Sequence, residues 1–196
     1  LELGIQPDVL ICRSEKKLSR DLRDKIALFC NVDSKAVISN YDSSSIYEVP
    51  LVLHKEKFDL TVLERLHLPD RKINIENWEQ FVASVKNPVE KVEIALCGKY
   101  TEHMDAYKSI MESFVHAGAE NDVKVNIKWV SAQDLEKDKN TGKYLNGIDG
   151  LLVPYGFGER GTEGKIRAIK YVRENKIPFF GICFGMQLAV VEFARN

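Results

Sequence analysis

Cys183 stands in Gly181-Ile182-Cys183-Phe184-Gly185-Met186-Gln187, between the apolar segment Ile177-Pro178-Phe179-Phe180 and a helical pattern over 188–195. Glycines two places either side of a nucleophile, at a strand-to-helix junction, make a nucleophile elbow. They permit a turn too tight for side chains, so the central residue points outward at the sheet edge. A thiol at a helix N-terminus feels the positive end of the helix dipole, which favours the thiolate. The N–H groups that follow lie where an oxyanion forms during acyl transfer. Such a group would open an amide through a thioester. Taken alone, Cys183 also reads as a buried structural cysteine on a core strand. The two glycines, with a strand before and a helix after, favour the nucleophile.

A second stretch belongs with it. Leu151-Leu152-Val153 runs into Pro154-Tyr155-Gly156-Phe157-Gly158-Glu159-Arg160-Gly161-Thr162-Glu163-Gly164, with four glycines in the nine residues from Gly156 to Gly164. Exposed backbone amides in such a loop can approach a ligand closely. By itself this is an ordinary βα turn. Beside the elbow, at the same carboxyl edge of a parallel sheet, it becomes a second donor of N–H groups to one oxyanion.

The elements that must position these groups alternate along the chain. Asp8-Val9-Leu10-Ile11-Cys12 has a buried-strand pattern. Leu22, Ile26 and Phe29 share a helical face with Leu18 one turn before, and Ala36-Val37-Ile38-Ser39 is the next strand. This β-α-β order predicts a parallel pair. From 69 to 91 the periodicity weakens between Pro69 and Pro88, which predicts an interdomain connector holding a short helix over 75–81. Beyond it come a strand over 92–98, a helix over 105–117 ended by Gly118, strands over 123–130 and 150–153, a helix over 164–175 and a strand over 177–182. That alternation predicts an open, doubly wound α/β domain with its chemistry at the carboxyl ends of the strands.

Composition excludes several classes. The chain of 196 residues carries 28 Lys and Arg against 29 Asp and Glu, a net charge of −1. That balance argues against a broad nucleic-acid surface. Cys12, Cys30, Cys97 and Cys183 lack CxxC or paired spacing, which predicts reduced thiols in a cytoplasmic protein. His54, His67, His103 and His116 lack metal-ligand spacing, and no apolar run is long enough to span a bilayer. The chain starts at Leu1 and stops at Asn196 within a helical pattern without a closing Gly or Pro, which predicts a piece of a longer protein.

The elbow and the glycine-rich loop together resemble the class I glutamine amidotransferases. Over essentially the whole chain the resemblance is to the CTP synthase branch of that family. Gly4-Ile5-Gln6-Pro7-Asp8, Ile11-Cys12-Arg13-Ser14, Asp24-Lys25-Ile26-Ala27-Leu28-Phe29-Cys30, Ala36-Val37-Ile38-Ser39 and Ser45-Ile46-Tyr47-Glu48-Val49-Pro50 are similar to the late part of its synthase domain. Gly98-Lys99-Tyr100 and Asp105-Ala106-Tyr107-Lys108-Ser109 are similar to the opening of its glutaminase domain. The resemblance implies the end of a P-loop-like amidoligase domain (1–68), a linker (69–91) and the first half of a doubly wound class I glutaminase domain (92–196).

It also implies an activity: ATP phosphorylates the uracil 4-oxygen of UTP, and ammonia from glutamine, channelled through the protein, displaces that phosphate to give CTP. By position, Cys183 is the glutaminase nucleophile, and Gly156, Phe184, Gly185, Met186 and Gln187 hold glutamine and its oxyanion. Lys25 and Phe29 contact the pyrimidine nucleotide (UTP or CTP). As residues alone, Lys25 reads as a solvated helix cation and Phe29 equally as a core aromatic. Arg13, Tyr41, Asp42 and Ser43 fall in the ATP-contact stretch, where Arg13 could stack on adenine. Phe157 and Arg160 would touch GTP, an allosteric activator. Magnesium, with its ligands outside this chain, and a homotetramer that forms filaments complete the implied picture.

Two residues depart from the family pattern. Tyr155 replaces the first glycine of Pro-Gly-Gly-Phe-Gly, which would cost about 1–2 kcal/mol if that position needs φ > 0. Phe184 replaces a leucine. The His and Glu that complete the family's triad would lie beyond Asn196, and the phosphate-binding loop before Leu1, so residues 1–196 alone are expected to be inactive. The competing readings are a non-catalytic paralogue serving in assembly and a different glutamine amidotransferase.

Overall fold

The computed structural model of the chain describes residues 2–101, 103–138 and 140–195. Leu1 and Asn196, where the sequence looks cut, lie outside the described residues. The chain divides into two compact units, Leu1–Ala83 and Ser84–Asn196, with the division inside the helix Glu76–Lys86.

In the first unit, β1 (Leu10–Ser14) and β2 (Val37–Tyr41) form the expected parallel pair, with Leu10 opposite Val37 and Ser14 opposite Tyr41. Between them runs α1 (Arg20–Cys30). The Ser19 hydroxyl accepts the Leu22 N–H at 3.3 Å to start it, and Asn31 at φ 51° closes it. Val37, Ile38 and Ser39 are buried, and the Ser39 hydroxyl accepts the Leu18 N–H at 3.0 Å, tying the loop before α1 to the sheet.

The inward face of α1 differs from the sequence expectation. Leu22 and Phe29 are exposed, Phe29 by 80%, while Ala27 is buried and Arg23, Ile26 and Cys30 are half-buried. On that inward face Arg23 reaches Glu56 at 2.6 Å, just past the end of α2 (Val49–Lys55). α3 (Phe58–Arg65) follows. The stretch expected as a connector is partly ordered as α4 (Glu76–Lys86). Its Trp78 donates Nε1–H to the Tyr47 carbonyl at 2.8 Å, and Trp78 and Phe81 pack their rings on Tyr47.

The second unit is an all-parallel sheet in the order β4-β3-β5-β6: β3 (Glu90–Gly98), β4 (Val123–Ser131), β5 (Gly150–Val153) and β6 (Phe179–Gly181). Helices cover both faces. Alternate residues of a strand face opposite sides, so Ala95, Cys97, Leu151 and Val153 pack on α8 (Thr162–Glu174) and α9 (Phe184–Ala194). Leu96 and Leu152 pack on Tyr107 and Ile110 on the other face, where a 3-10 turn (Met104–Tyr107) leads into α5 (Lys108–Glu120). Gly118 lies inside α5 rather than ending it; glycine is needed there for close packing, since a Cβ would come 2.5 Å from the Val123 carbonyl oxygen of the adjoining strand. Two short helices, α6 (Ala132–Lys137) and α7 (Thr141–Leu145), fill the connection between β4 and β5.

Candidate active site

β5 and β6 end side by side, with Val153 opposite Gly181, so both loops that leave them open at one edge of the sheet. The chain turns at Cys183, at φ 53° and ψ −109°, and enters α9 at once. Such a conformation is strained for a residue bearing a side chain and persists only where the surroundings impose it. They do so by close packing: Ile182 donates its N–H to the Val153 carbonyl at 2.9 Å, and a Cβ on Gly185 would lie 2.0 Å from that same oxygen. Only glycine lets α9 sit this near β5. The Cys183 side chain is exposed, so the reading as a buried structural thiol is overturned. The buried thiol of the unit is Cys97, whose pKa burial pushes up to about 12.

At the start of α9 the Cys183 carbonyl accepts the Gln187 N–H at 3.2 Å, and Gly185 donates to Ile182 at 2.9 Å. The N–H of Phe184, as the first helical residue, has no acceptor within the helix and remains available to a ligand. Phe184 is half-buried, while Met186 and Gln187 are exposed on the first turn. The glycine-rich loop comes over this turn. Gly156 and Gly158 adopt φ +125° and +103°, values open to glycine and rarely to other residues, and the Phe157 ring lies 5.0 Å from that of Phe184. Cys183, Phe184, Gly156 and Phe157 are thus gathered at one edge, and Arg160 is exposed on the same loop.

Tyr155 does not have the positive φ that would have strained it. Its ring packs 5.8 Å from that of Tyr107, and its hydroxyl donates to the Ala106 carbonyl, anchoring the loop to the turn before α5. The expected penalty therefore does not arise.

Two lysines to which the sequence assigns no role also lie here. Lys165, in the first turn of α8, is only 1% exposed. Its Nζ donates to the Gly156 carbonyl at 3.3 Å and lies 5.4 Å from the centre of the Phe184 ring. Lys99 donates to the Phe157 carbonyl at 3.1 Å. In sequence each looks like a solvated lysine at a helix or strand end, and no local pattern distinguishes them. Tyr107, wholly buried, accepts the N–H groups of Lys99 and Tyr100 at 3.1 Å each through its hydroxyl oxygen.

In the first unit, Arg13, Tyr41, Asp42 and Ser43 come together at the carboxyl edge of the β1–β2 pair. Arg13 lies 3.6 Å from the Asp42 carboxylate, Asp42 donates its N–H to Ser14 at 3.0 Å, and the Ser43 hydroxyl donates to the Tyr41 carbonyl at 3.4 Å. Lys25 and Phe29 do not join them. They are exposed one turn apart on α1, which runs back from that edge, so Phe29 lies about 13 Å along the axis from the helix start. The alternative that Phe29 is a core aromatic is excluded by its exposure. Among the described residues no group of three or more His, Cys, Asp or Glu is arranged to hold a metal ion, and no helix is long and apolar enough to cross a membrane.

A parallel doubly wound sheet with a cysteine elbow at its carboxyl edge, under a glycine-rich loop, defines a class I glutamine amidotransferase domain. The family model for glutamine amidotransferase class-I matches residues 102–196, and that for the CTP synthase N-terminus matches residues 1–68. The chain belongs to the CTP synthase family. It is 56% identical over 199 residues to the CTP synthase of Chloroherpeton thalassium and 55% identical over 196 residues to that of Cytophaga hutchinsonii, each alignment covering 100% of this chain and 36% of the relative. The chain thus spans little more than a third of the length of these curated relatives. Among solved structures, the glutaminase domain of Trypanosoma brucei CTPS with bound acivicin matches with a TM-score of 0.50 at 42% identity, covering 54% of this chain and 41% of that one.

Proposed function

We propose that this chain is part of an enzyme that aminates UTP to CTP at the expense of ATP, with ammonia released from glutamine at Cys183 and channelled to the synthase site. The observation that carries the reading is the exposed, strained Cys183 at the head of α9, within a chain whose two parts match the two CTP synthase family models. In this reading the Cys183 thiolate attacks the glutamine side-chain carbonyl. The oxyanion is held by the Phe184 N–H and amides of the Gly156 loop, while Gly185, Met186 and Gln187 shape the cleft. The C–N bond breaks, ammonia leaves with a proton from a general acid, and water hydrolyses the thioester to glutamate.

Arg13, Tyr41, Asp42 and Ser43 are assigned to ATP and the outward pair Lys25 and Phe29 to the pyrimidine nucleotide. Phe157 and Arg160 are assigned to GTP as an effector. Lys25 suits a triphosphate as a point charge. Magnesium belongs to the reading, but the residues present do not fit it: the single carboxylate in the ATP group, Asp42, faces Arg13. A cytoplasmic homotetramer able to form filaments is the assembly proposed.

The test uses the full-length gene product and follows UTP conversion to CTP by absorbance, with ATP, magnesium and either glutamine or ammonium as donor. Turnover with both donors, and loss of the glutamine-supported rate alone in Cys183→Ala, is the expected result. Turnover with neither donor from folded protein would sink the assignment and favour the non-catalytic assembly paralogue.

A further inference from the structure

We propose that Lys165 is a positioning residue for the thiol chemistry, its buried ammonium fixing the Gly156 loop to the elbow by bridging the Gly156 carbonyl and the Phe184 ring. The proposal rests on the reading of Cys183 as the glutaminase nucleophile.

Lys165 occupies a place that disfavours a cation twice over. It is 1% exposed, and it lies in the first turn of α8, where the helix dipole presents its positive end. None of the ion pairs among the described residues involves it. Burial pushes its pKa down; the Cys97 thiol opposes that shift and Lys99 adds to it. A methionine of similar length would fill the space without these penalties, since apolar replacement of a buried charge is often neutral or stabilising. A cation kept under those conditions points to a task outside stability.

Its neighbours identify the task. A loop with glycines at 156, 158 and 161 has little conformational preference of its own. The Lys165 ammonium accounts for the order of one peptide plane: with the Gly156 carbonyl held at 3.3 Å and the peptide trans, the Phe157 N–H is turned to the opposite side. Lys99 fixes the next plane through the Phe157 carbonyl. The same Lys165 ammonium lies against the ring of Phe184, the residue that follows the nucleophile. One charge therefore sets the distance between the loop amides and the turn that carries Cys183.

The experiment compares Lys165→Met with the parent in the full-length protein. It measures glutamine hydrolysis, ammonium-supported CTP formation and the thermal midpoint. For the variant we expect kcat for glutamine hydrolysis to fall about tenfold or more, as misplacement of pre-organised donors does. Ammonium-supported synthesis should be unchanged and the thermal midpoint equal or higher. Glutamine hydrolysis within about twofold of the parent, or a fall in all three quantities together, would overturn the proposal, the latter making Lys165 a structural residue. A parent that does not hydrolyse glutamine would overturn the Cys183 reading and this inference with it. If Lys165→Met is not recovered folded, Lys165→Arg carries the test. Retention of most glutamine hydrolysis by the second cation supports the proposal, and a fall to the level of Cys183→Ala overturns it.

Discussion

At Cys183 the backbone carries strain that the close packing of α9 on β5 imposes. A side chain at φ 53° and ψ −109° costs about 1–3 kcal/mol, and glycine would not incur it. Glycine in turn adds freedom to the unfolded chain, which offsets up to about 1 kcal/mol. Cys183→Gly should therefore be more stable than Cys183→Ala by about 1 kcal/mol, read as a higher thermal midpoint, with both variants devoid of glutamine hydrolysis. Equal midpoints would show that the elbow is unstrained. Phe29 poses the reverse case, a large apolar side chain that is 80% exposed and so contributes little to the fold. Phe29→Ala should change stability by less than about 0.5 kcal/mol while raising KM for UTP several-fold. A large loss of stability with KM unchanged would return Phe29 to a packing role. The elbow was legible in the sequence because two glycines flanking a nucleophile form a local pattern. Lys165 was not, because its burial is decided by α8 packing on a loop nine residues away in sequence.

At the level of elements, what the sequence showed and what it hid follow one physical division. β2, β3 and β5 are apolar runs whose burial is written in composition, and they were read within about two residues. α6 and α7 escaped notice because they are short and polar, each started by one capping side chain: Ser131 accepting from Asp134, and Asn140 from Lys143. The inward face of α1 is not legible from apolar spacing, since a half-buried cation, Arg23, shares it with Ala27 while Leu22 and Phe29 are exposed. The Glu56 side chain is 5% exposed and takes Lys17 at 2.7 Å and Arg23 at 2.6 Å, binding α2 to α1 and the loop before it. Burial alone would push the Glu56 pKa up, but the hydrogen bonds from Lys17 and Arg23 outweigh it and hold the pKa below the ordinary glutamate value of 4.5. A lowered folded pKa means the contribution is complete above the unfolded value and lost as pH falls through the folded one. Glu56→Gln should cost about 1–2 kcal/mol at pH 7 and flatten the loss of stability on acidification below about pH 5. A variant whose midpoint tracks the parent from pH 7 to pH 3 would show the pair to be inert.

For the molecule as a whole, the question is which parts of the chemistry residues 1–196 carry. They hold an exposed thiol, a helix N-terminus and a glycine-rich loop at one sheet edge, the parts that the proposed reading uses to form an oxyanion and hold it. Expelling ammonia also requires a proton at the leaving nitrogen, the part an imidazole plays beside such a thiolate. Among the described residues none of the histidines, at 54, 67, 103 and 116, is hydrogen-bonded to Cys183. Without a paired acid and base the rate of a covalent site drops by roughly 10⁴ or more, because the members act as a unit and the remaining groups give only residual catalysis. Purified residues 1–196 should therefore release ammonia from saturating glutamine at least about 10³-fold more slowly than the full-length gene product, even where circular dichroism shows both folded. The same polypeptide should still be alkylated at Cys183 by a glutamine-like electrophile, since exposure and the helix N-terminus persist. Ammonia release by residues 1–196 within about tenfold of the full-length rate would mean that a proton donor lies within this chain, and that the thiol chemistry assigned to Cys183 runs by a different partner.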